Sequence, residues 1–150
     1  MTNILIRECT RLDLDHVFEL DTLWREEGVS YAWYGDPDEL IADFDRFQKY
    51  FLVAESDGRI VGYVNGSIRM NETVRVLAEQ ETYLEIENIY VMPEFRDMHV
   101  GGDLLENLLK VANQNGLERF VVSTVTKDTD RIMEFYRSYG FRPWYVEFFK

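Results

Sequence analysis

Cysteine and histidine are almost absent from this sequence. The 150 residues include one cysteine, Cys9, and two histidines, His16 and His99, which lie far apart in the chain. A single cysteine cannot form a disulfide within the chain, and the histidines do not stand at the spacing of a Cys/His zinc site. The sequence therefore predicts neither an internal disulfide nor a metal site.

Long apolar runs are missing as well. No stretch approaches the roughly 18 consecutive apolar residues that a membrane-spanning helix needs. The first residues, Met1 to Ile4, lack the basic start and the small-residue cleavage site of a signal peptide. We therefore expect a cytoplasmic protein with no membrane partner.

Basic residues are scarce beside acidic ones. The chain has 16 Lys and Arg against 28 Asp and Glu, a net charge of −12, and residues 1–50 hold 12 of the acids but only five of the bases. A negative field repels phosphate backbones and attracts cations. Nucleic acid is thus not expected as a partner, whereas a cationic small molecule is admissible. The plainer explanation, that acidic surface serves solubility alone, stays open.

The rest of the composition is that of a packed globular protein. Hydrophobic residues make up 46% of the chain and aromatic residues 15%, with three prolines. This profile excludes global disorder, and the length suits one domain with a sizeable core. We predict a single domain over residues 1–150.

The first half of the chain predicts strand, helix, helix and hairpin. Asp36-Pro37 is a capped helix start, and Asp57-Gly58 between two β-rich runs is a strong hairpin signal. The predicted elements are strand Ile4–Cys9, helix Asp13–Glu27, helix Pro37–Phe47, and strands Tyr50–Glu55 and Arg59–Val64, the last of which can extend to Met70.

The second half alternates strands with helices. Apolar side chains at helical spacing and β-rich runs between them predict five elements. These are strand Thr82–Met92, helix Asp103–Asn115, strand Arg119–Val125, helix Asp128–Ser138 and a last strand Phe141–Phe149. The predicted fold class is α+β, with an antiparallel front half and a βαβ-like back half.

The stretch between the strand that ends at Met92 and the next helix carries the strongest chemical signal. Pro93 breaks the strand, and the turn brings the cation of Arg96 and two glycines, Gly101 and Gly102, to the start of a helix. Helix starts offer free N–H groups, and glycine lets a phosphate approach the backbone. These residues suit a pyrophosphate, although an ordinary strand-to-helix turn would look the same.

Two motifs in this half resemble those of one family. The stretch Val91-x-Pro93-x-x-Arg96-x-x-His99-Val100-Gly101-Gly102-x-Leu104-Leu105 resembles the acetyl-CoA signature of the GNAT N-acetyltransferases, whose pattern is Arg/Gln-x-x-Gly-x-Gly/Ala. Here His99 replaces the first glycine. Histidine tolerates positive φ better than most residues, so the turn is expected to survive. The stretch Phe135 to Phe141 is similar to the family's Tyr-x-x-x-Gly-Phe element.

The resemblance implies a fold and a co-substrate. The implied fold has a mixed, mostly antiparallel sheet with a splayed parallel strand pair and helices on both faces. The implied co-substrate is acetyl-CoA, with no metal. Thr129 stands where the family usually has asparagine. The residues that the resemblance assigns to acetyl-CoA are Ile89, Tyr90, Val91, Arg96, Asp97, Met98, His99, Val100, Gly101, Gly102 and Thr129.

The resemblance also implies catalytic residues. Tyr136 matches the position that protonates the departing thiolate, although its helical spacing also suits a core aromatic. Strand alternation predicts that Glu85, Glu87, Ile89 and Val91 share one face. Glu87 is the preferred base and Glu85 the reserve, while solvated strand carboxylates remain the alternative.

We therefore expect an N-acetyltransferase that moves an acetyl group directly to a primary amine in a ternary complex, without Cys9 as a nucleophile. The acceptor is a small-molecule amine or a protein amine. The rival hypothesis is a non-catalytic acyl-CoA-binding regulatory domain. Dimers are common in the family, and the aromatic segment 144–149 could form a shared surface. The residues expected around the acceptor are Trp24, Glu26, Glu27, Tyr31, Trp33, Tyr34 and Asp36.

Overall fold

A five-stranded sheet with the order β1-β2-β3-β4-β5 organises the protein. The computed structural model describes residues 3–31 and 33–150. The prediction about a signal peptide concerns residues 1–4, of which the first two lie outside these ranges. The strands are β1 Ile4–Glu8, β2 Phe51–Ser56, β3 Arg59–Met70, β4 Thr82–Val91 and β5 Phe120–Val122. The helices are α1 Leu14–Glu27, α2 Pro37–Phe47, α3 Val100–Gln114 and α4 Thr129–Ser138.

Three of the four strand pairs are antiparallel and the pair β4–β5 is parallel. The predicted mixed, mostly antiparallel sheet is confirmed. Among the described residues, no helix is long and apolar enough to cross a membrane.

The hairpin turn and the capped helix start that the sequence predicts are both present. Ser56 pairs with Arg59 across a two-residue turn in which Asp57 and Gly58 have φ of 48° and 81°, the left-handed values of a type I′ hairpin. Helix α2 begins at Pro37, and the Asp36 carboxylate accepts a hydrogen bond of 2.9 Å from the Asp38 N–H. Local side-chain chemistry thus sets these boundaries.

Helices cover both faces of the sheet. Trp24 of α1 stacks on Tyr90 of β4, with ring centroids 5.5 Å apart. On the other face Leu104 of α3 packs over Gly62 of β3, where an added Cβ would meet the Tyr90 carbonyl oxygen at 2.9 Å and the Leu104 side chain at 3.3 Å. The apolar stripe of α3 is fully buried, and each large aliphatic side chain in it contributes about 1.5–3 kcal/mol. This core holds β3 and β4 in place.

Three predictions about these elements differ from the structure by three residues or more. Helix α3 begins at Val100 rather than Asp103, because the Asp103 N–H already bonds the His99 carbonyl. Strand β5 ends at Val122 rather than Val125, because the Val125 carbonyl accepts from the Tyr31 N–H instead of joining a sheet ladder.

The predicted last strand is the third error. Residues 141–150, all of them described, contain no strand. A strand needs a partner for its backbone groups, and β5 offers an edge of only three residues. Alternation of apolar side chains alone does not supply that partner.

Strand β4 contains an irregularity at Glu87. Asn65 of β3 lies opposite Asn88 and Gly66 opposite Ile86, which leaves Glu87 as an extra residue, as in a β-bulge. Two consecutive β4 side chains, Glu87 and Asn88, therefore both bond side chains of β3.

The irregularity overturns the predicted common face of Glu85, Glu87, Ile89 and Val91. Tyr90 stacks on Trp24 of α1, whereas the Val91 side chain lies 3.8 Å from the Cβ position of Gly101 in α3. Val91 thus faces the opposite side of the sheet from Glu87, because the extra residue shifts the alternation by one.

Candidate active site

The parallel strands β4 and β5 separate soon after they meet. They pair only over Leu84–Ile86 and Phe120–Val122. Beyond that point lies a cleft of about 760 Å³, bounded by residues 86–91 of β4, residues 122–126, the first turn of α3 and one side of α4. The predicted splay of the parallel pair is present.

The cleft receives backbone donors from β4. The Met92 N–H bonds the Val61 carbonyl of β3 at 2.9 Å. Alternate residues of an antiparallel strand direct their N–H groups to opposite edges. The N–H groups of Ile89 and Val91 therefore point away from β3 and into the cleft, as expected for a strand edge that binds an extended ligand.

The first turn of α3 forms one end of the cleft. His99 precedes this helix with φ of 66°, and Asp97 has φ of 61°. The predicted survival of the turn with histidine in place of glycine is confirmed. A Cβ on Gly102 would lie 1.8 Å from the hydroxyl of Tyr139, the residue that follows α4, so a larger residue here would displace that side chain. The N–H groups of this first turn are oriented for an anion.

Arg96 lines the cleft, and its guanidinium is bonded to groups of the protein. Its guanidinium donates to the Glu27 carboxylate at 2.7 Å and to the Val91 carbonyl at 2.9 Å, and it lies 5.4 Å from the centre of the Tyr90 ring. The Tyr90 hydroxyl also donates to Glu27, at 2.5 Å. Burial, and then Glu27, raise the pKa of Tyr90. Glu27 thereby fixes α1 to β4 and to the turn.

Tyr136 lines the cleft from α4. Its ring packs edge-on against Phe135 and Phe141, with centroids 5.1 Å and 5.6 Å apart. Burial raises the pKa of the Tyr136 phenol, so the hydroxyl keeps its proton at neutral pH. The sequence allowed two interpretations of this residue, a core aromatic and a proton donor. Its position fits both, because Tyr136 is buried among aromatic rings and also lines the cleft.

Glu87 and Glu85 share one cation. Arg69 of β3 lies 3.0 Å from the Glu87 carboxylate and 3.2 Å from that of Glu85, and the Ser67 hydroxyl donates to Glu87 at 2.5 Å. Burial, and then the neighbouring Glu87, raise the pKa of Glu85. Of the two, Glu87 lines the cleft.

Most of the predicted acetyl-CoA residues come together at this cleft. Ile89, Tyr90, Val91 and the run from Arg96 to Gly102 line it, as do Trp24 and Glu27 of the predicted acceptor cluster. Thr129 is not among the described residues that line the cleft, and its hydroxyl donates to the Thr126 carbonyl at 3.4 Å. Tyr34, another member of that cluster, instead bonds Asp43 and Asn65.

The sequence analysis missed a pairing between two segments that line the cleft. The Tyr31 N–H bonds the Val125 carbonyl at 2.9 Å and the Lys127 N–H bonds the Val29 carbonyl at 2.8 Å. The segment after α1 thus pairs with the segment after β5, and no local pattern signals a bond between such distant residues. Arg131 was also missed, although its position one helical turn before Phe135 on α4 could have revealed it.

Cys9 is not among the residues that line the cleft. It is 1% exposed, and burial raises the pKa of its thiol to about 12. The thiolate is therefore scarcely formed at neutral pH. Among residues 3–31 and 33–150, no group of acidic, histidine or cysteine side chains is placed to hold a metal ion.

The profile of the acetyltransferase (GNAT) family matches residues 14–141. The chain belongs to the GNAT family. It is accordingly an acyltransferase of the N-acetyltransferase class, and the resemblance read from its two motifs is confirmed.

Individual relatives are distant. A Bacillus subtilis (strain 168) protein, named provisionally as a ribosomal protein bS18-alanine N-acetyltransferase, is 21% identical over 147 residues, covering 95% of this chain and 83% of its own. An uncharacterized N-acetyltransferase of Methanocaldococcus jannaschii is 27% identical over 144 residues, covering 91% of this chain and 59% of its own. The chain thus spans little more than half the length of the second relative.

Solved structures share the GNAT fold. The aminoglycoside N-acetyltransferase AAC(6')-Iy, solved with the bisubstrate analog CoA-S-monomethyl-acetylneamine, superposes with a TM-score of 0.75 at 22% identity, covering 99% of this chain and 97% of the other. At this identity the likeness establishes the architecture, and the predicted fold class is confirmed.

Proposed function

We propose that this chain transfers an acetyl group from acetyl-CoA to a primary amine, directly and in a ternary complex. The observation that carries the proposal is the open edge of β4 beside the start of α3. It combines in one cleft the Ile89 and Val91 N–H groups, which suit an extended amide-containing arm, with a helix N-terminus, which suits a pyrophosphate.

The described residues fit acetyl-CoA in shape as well as in donors. Gly101 leaves ordinary van der Waals room beside Phe135, and the cleft of about 760 Å³ is within the range of ligand sites. Bound there, acetyl-CoA would supply an activated acyl group, the thioester. The remaining chemistry falls to the protein.

Two proton movements are then needed. The acceptor amine must lose a proton as its nitrogen bonds the acetyl carbon, and the sulfur must gain one as the carbon–sulfur bond breaks. Glu87 is proposed to take the first proton through water, since a carboxylate is a much weaker base than an amine. Tyr136, which keeps its proton, is proposed to donate the second. The Ile89 and Val91 N–H groups would stabilise the negative charge on the acetyl oxygen.

The acceptor is proposed to be a primary amine on a small molecule or a protein. Trp24 and Glu87 line the cleft, and an aromatic ring with a carboxylate favours an ammonium group. One relative is named for an aminoglycoside and another for a protein alanine, so both kinds of amine belong in a test. The overall negative charge adds a slight preference for cationic acceptors.

The C-terminal segment supports a proposal about assembly. Trp144, Tyr145, Val146, Phe148 and Phe149 are between 45% and 101% exposed, and β5 is an edge strand within the described sheet. A patch of exposed apolar side chains is typical of a protein–protein contact surface. We propose that a second copy of this chain covers them in a homodimer. Sedimentation showing a monomer at working concentration would contradict this. A cytoplasmic location remains a prediction.

Calorimetric titration with acetyl-CoA and with coenzyme A tests the binding half of the proposal, and thiol release tests transfer. The panel should hold a polyamine, an aminoglycoside and a peptide with N-terminal alanine. Binding together with release for one amine class supports the proposal. Binding without release for any of them favours the regulatory domain, and absence of binding rejects both.

A further inference from the structure

The cation that the motif supplies for the pyrophosphate, Arg96, is already engaged. It donates to Glu27 and to the Val91 carbonyl, and its side chain is 29% exposed beside a Glu27 side chain that is 20% exposed. Turning Arg96 toward α3 would leave a partly buried carboxylate without its charge partner, which is costly. The positive charge of Arg96 is therefore neutralised by Glu27.

Acidic residues also lie around the start of α3. Asp97 and Asp128 line the cleft, and Asp103 lies in the first turn of α3. With Arg96 neutralised by Glu27, these carboxylates would repel a pyrophosphate unless other cations offset them. The α3 dipole alone is worth less than a nearby full charge.

His99 is one side chain in this region that can donate a hydrogen bond to a phosphate. It is exposed at the position before α3, and its Nδ1 lies 3.6 Å from where a Cβ of Gly102 would stand. The ring therefore packs against the first turn of α3, beside the N–H groups that are oriented for an anion. In the family pattern this position is glycine, which has no side chain to contribute.

Arg131 is the other group. It lines the same cleft from the first turn of α4. Its contact with Asp97 is long, 3.5 Å, and both side chains are well exposed, at 59% and 91%. Such a pair stabilises the fold little, so the guanidinium can move to a ligand at small cost.

We propose that His99 and Arg131, and not Arg96, supply the side-chain contacts to the pyrophosphate of coenzyme A. The proposal rests only on the binding half of the proposed function; turnover enters only through a control measurement.

Calorimetric titration of the whole chain with coenzyme A provides the test. His99→Asn removes the ring while tolerating the left-handed backbone, and Arg131→Gln removes the guanidinium charge. Each is expected to weaken binding roughly 10-fold, the usual loss for a hydrogen bond to a charged group. Arg137→Gln, an exposed arginine further along α4 that does not line the cleft, is the matched control and should bind as wild type does.

Arg96→Gln separates the two assignments. It should lower the melting temperature, because Glu27 loses its partner, while coenzyme A affinity stays within about 3-fold by the same scale. His99→Gly, which also suits the backbone, serves if His99→Asn does not fold. Wild-type affinity in the His99 and Arg131 variants, or a larger loss of affinity in Arg96→Gln, would overturn the assignment.

The outcomes also distinguish this inference from the proposed function. Wild-type chain that binds coenzyme A but acetylates no amine removes the proposed transfer and leaves the assignment standing. Acetyl transfer from S-acetylpantetheine, which lacks the pyrophosphate, should not change in His99→Asn. If His99→Asn lowered the rate of acetyl transfer equally with acetyl-CoA and with S-acetylpantetheine, His99 would support the fold and would not contact the phosphates.

Discussion

The two edges of β4 are used in opposite ways. Toward β3 the strand is paired from Thr82 to Val91 with one irregularity at Glu87, whereas toward β5 it is paired only at Leu84–Ile86. The paired edge satisfies its backbone groups and carries the core. The open edge retains donors that the fold does not use, and the cleft lies there. A binding site can thus arise where sheet pairing stops.

The irregularity at Glu87 connects the two edges. It places Glu87 and Asn88 together against β3 and directs Val91 toward α3. An extra residue in one strand bends it and increases its local twist. The divergence of β4 from β5 begins at the same place, directly after Ile86. Changes on the two edges should therefore affect different properties, activity on one and stability on the other.

The largest effect is expected from Tyr136→Phe, on the α4 side of the cleft that the open edge borders. Loss of the phenolic proton should lower turnover about 10²- to 10⁴-fold, the usual contribution of a positioned acid. Coenzyme A affinity should barely change, because the ring still packs against Phe135 and Phe141. Steady-state thiol release together with calorimetry measures both. Tyr145→Phe, in the exposed C-terminal segment, is the control, and a Tyr136→Phe enzyme with normal turnover would remove the tyrosine from the mechanism.

Glu87→Gln is expected to have the next largest effect. Without a carboxylate to accept the amine proton, kcat/KM should fall about 10²-fold, and coenzyme A should still bind. Glu85→Gln is a close match, since both carboxylates contact Arg69 but Glu85 does not line the cleft. Similar losses in the two variants would mean that the effect comes from Arg69 and not from a base in the cleft.

A pair of glycine substitutions compares the two edges in stability. Gly62→Ala, on the paired side, brings a Cβ to 2.9 Å from the Tyr90 carbonyl oxygen and should cost about 1–3 kcal/mol. Gly101→Ala, in the first turn of α3, meets neighbours only at 3.8 Å and should stabilise the fold by about 0.4–1 kcal/mol, because alanine loses less conformational entropy on folding. Urea unfolding measures both, and equal costs would contradict the contrast.

The smallest effect concerns the far edge of the sheet and depends on pH. Arg7 of β1 donates to the Asp13 carboxylate at 2.8 Å and 2.9 Å, and this bond lowers the pKa of Asp13 from 3.8 to about 2. A lowered pKa stabilises the fold above the unfolded value and ceases to do so as the pH falls through the folded one. Asp13→Asn should therefore cost about 2 kcal/mol at pH 7 and almost nothing near pH 2.

Urea unfolding at both pH values measures this effect. Asp45→Asn, which breaks the well-exposed pair with Arg11, is the control and should cost less than about 1 kcal/mol. A cost for Asp13→Asn that is the same at pH 7 and pH 2 would show that the ion pair is not its source.

Sequence reasoning succeeded where a local signal sets the structure. The Asp57-Gly58 hairpin, the Asp36-Pro37 helix start and the left-handed conformation of His99 all depend on the dihedral preferences or hydrogen bonds of a few adjacent residues. The two family motifs are local in the same sense, and they led to the fold and to most residues of the cleft.

The sequence failed where distant segments decide. The alternation over Phe141–Phe149 indicated a strand, but no strand of adequate length lies beside it. The alternation of β4 was broken at Glu87 by its register against β3. The placement of Arg96 depends on Glu27, 69 residues earlier, and no pattern within the motif could reveal that pair.

The sequence by itself determined the order of the elements from β1 to α4, the family and the turn that leads into α3, because these follow from backbone preferences and short motifs. The tertiary structure alone decided which edge of β4 stays open, which carboxylate lines the cleft and which cation remains to meet an anion. These features depend on strand register and on charge pairs between segments far apart in the chain. The free energy of such a contact depends on which other groups can pair with the same side chain or backbone group.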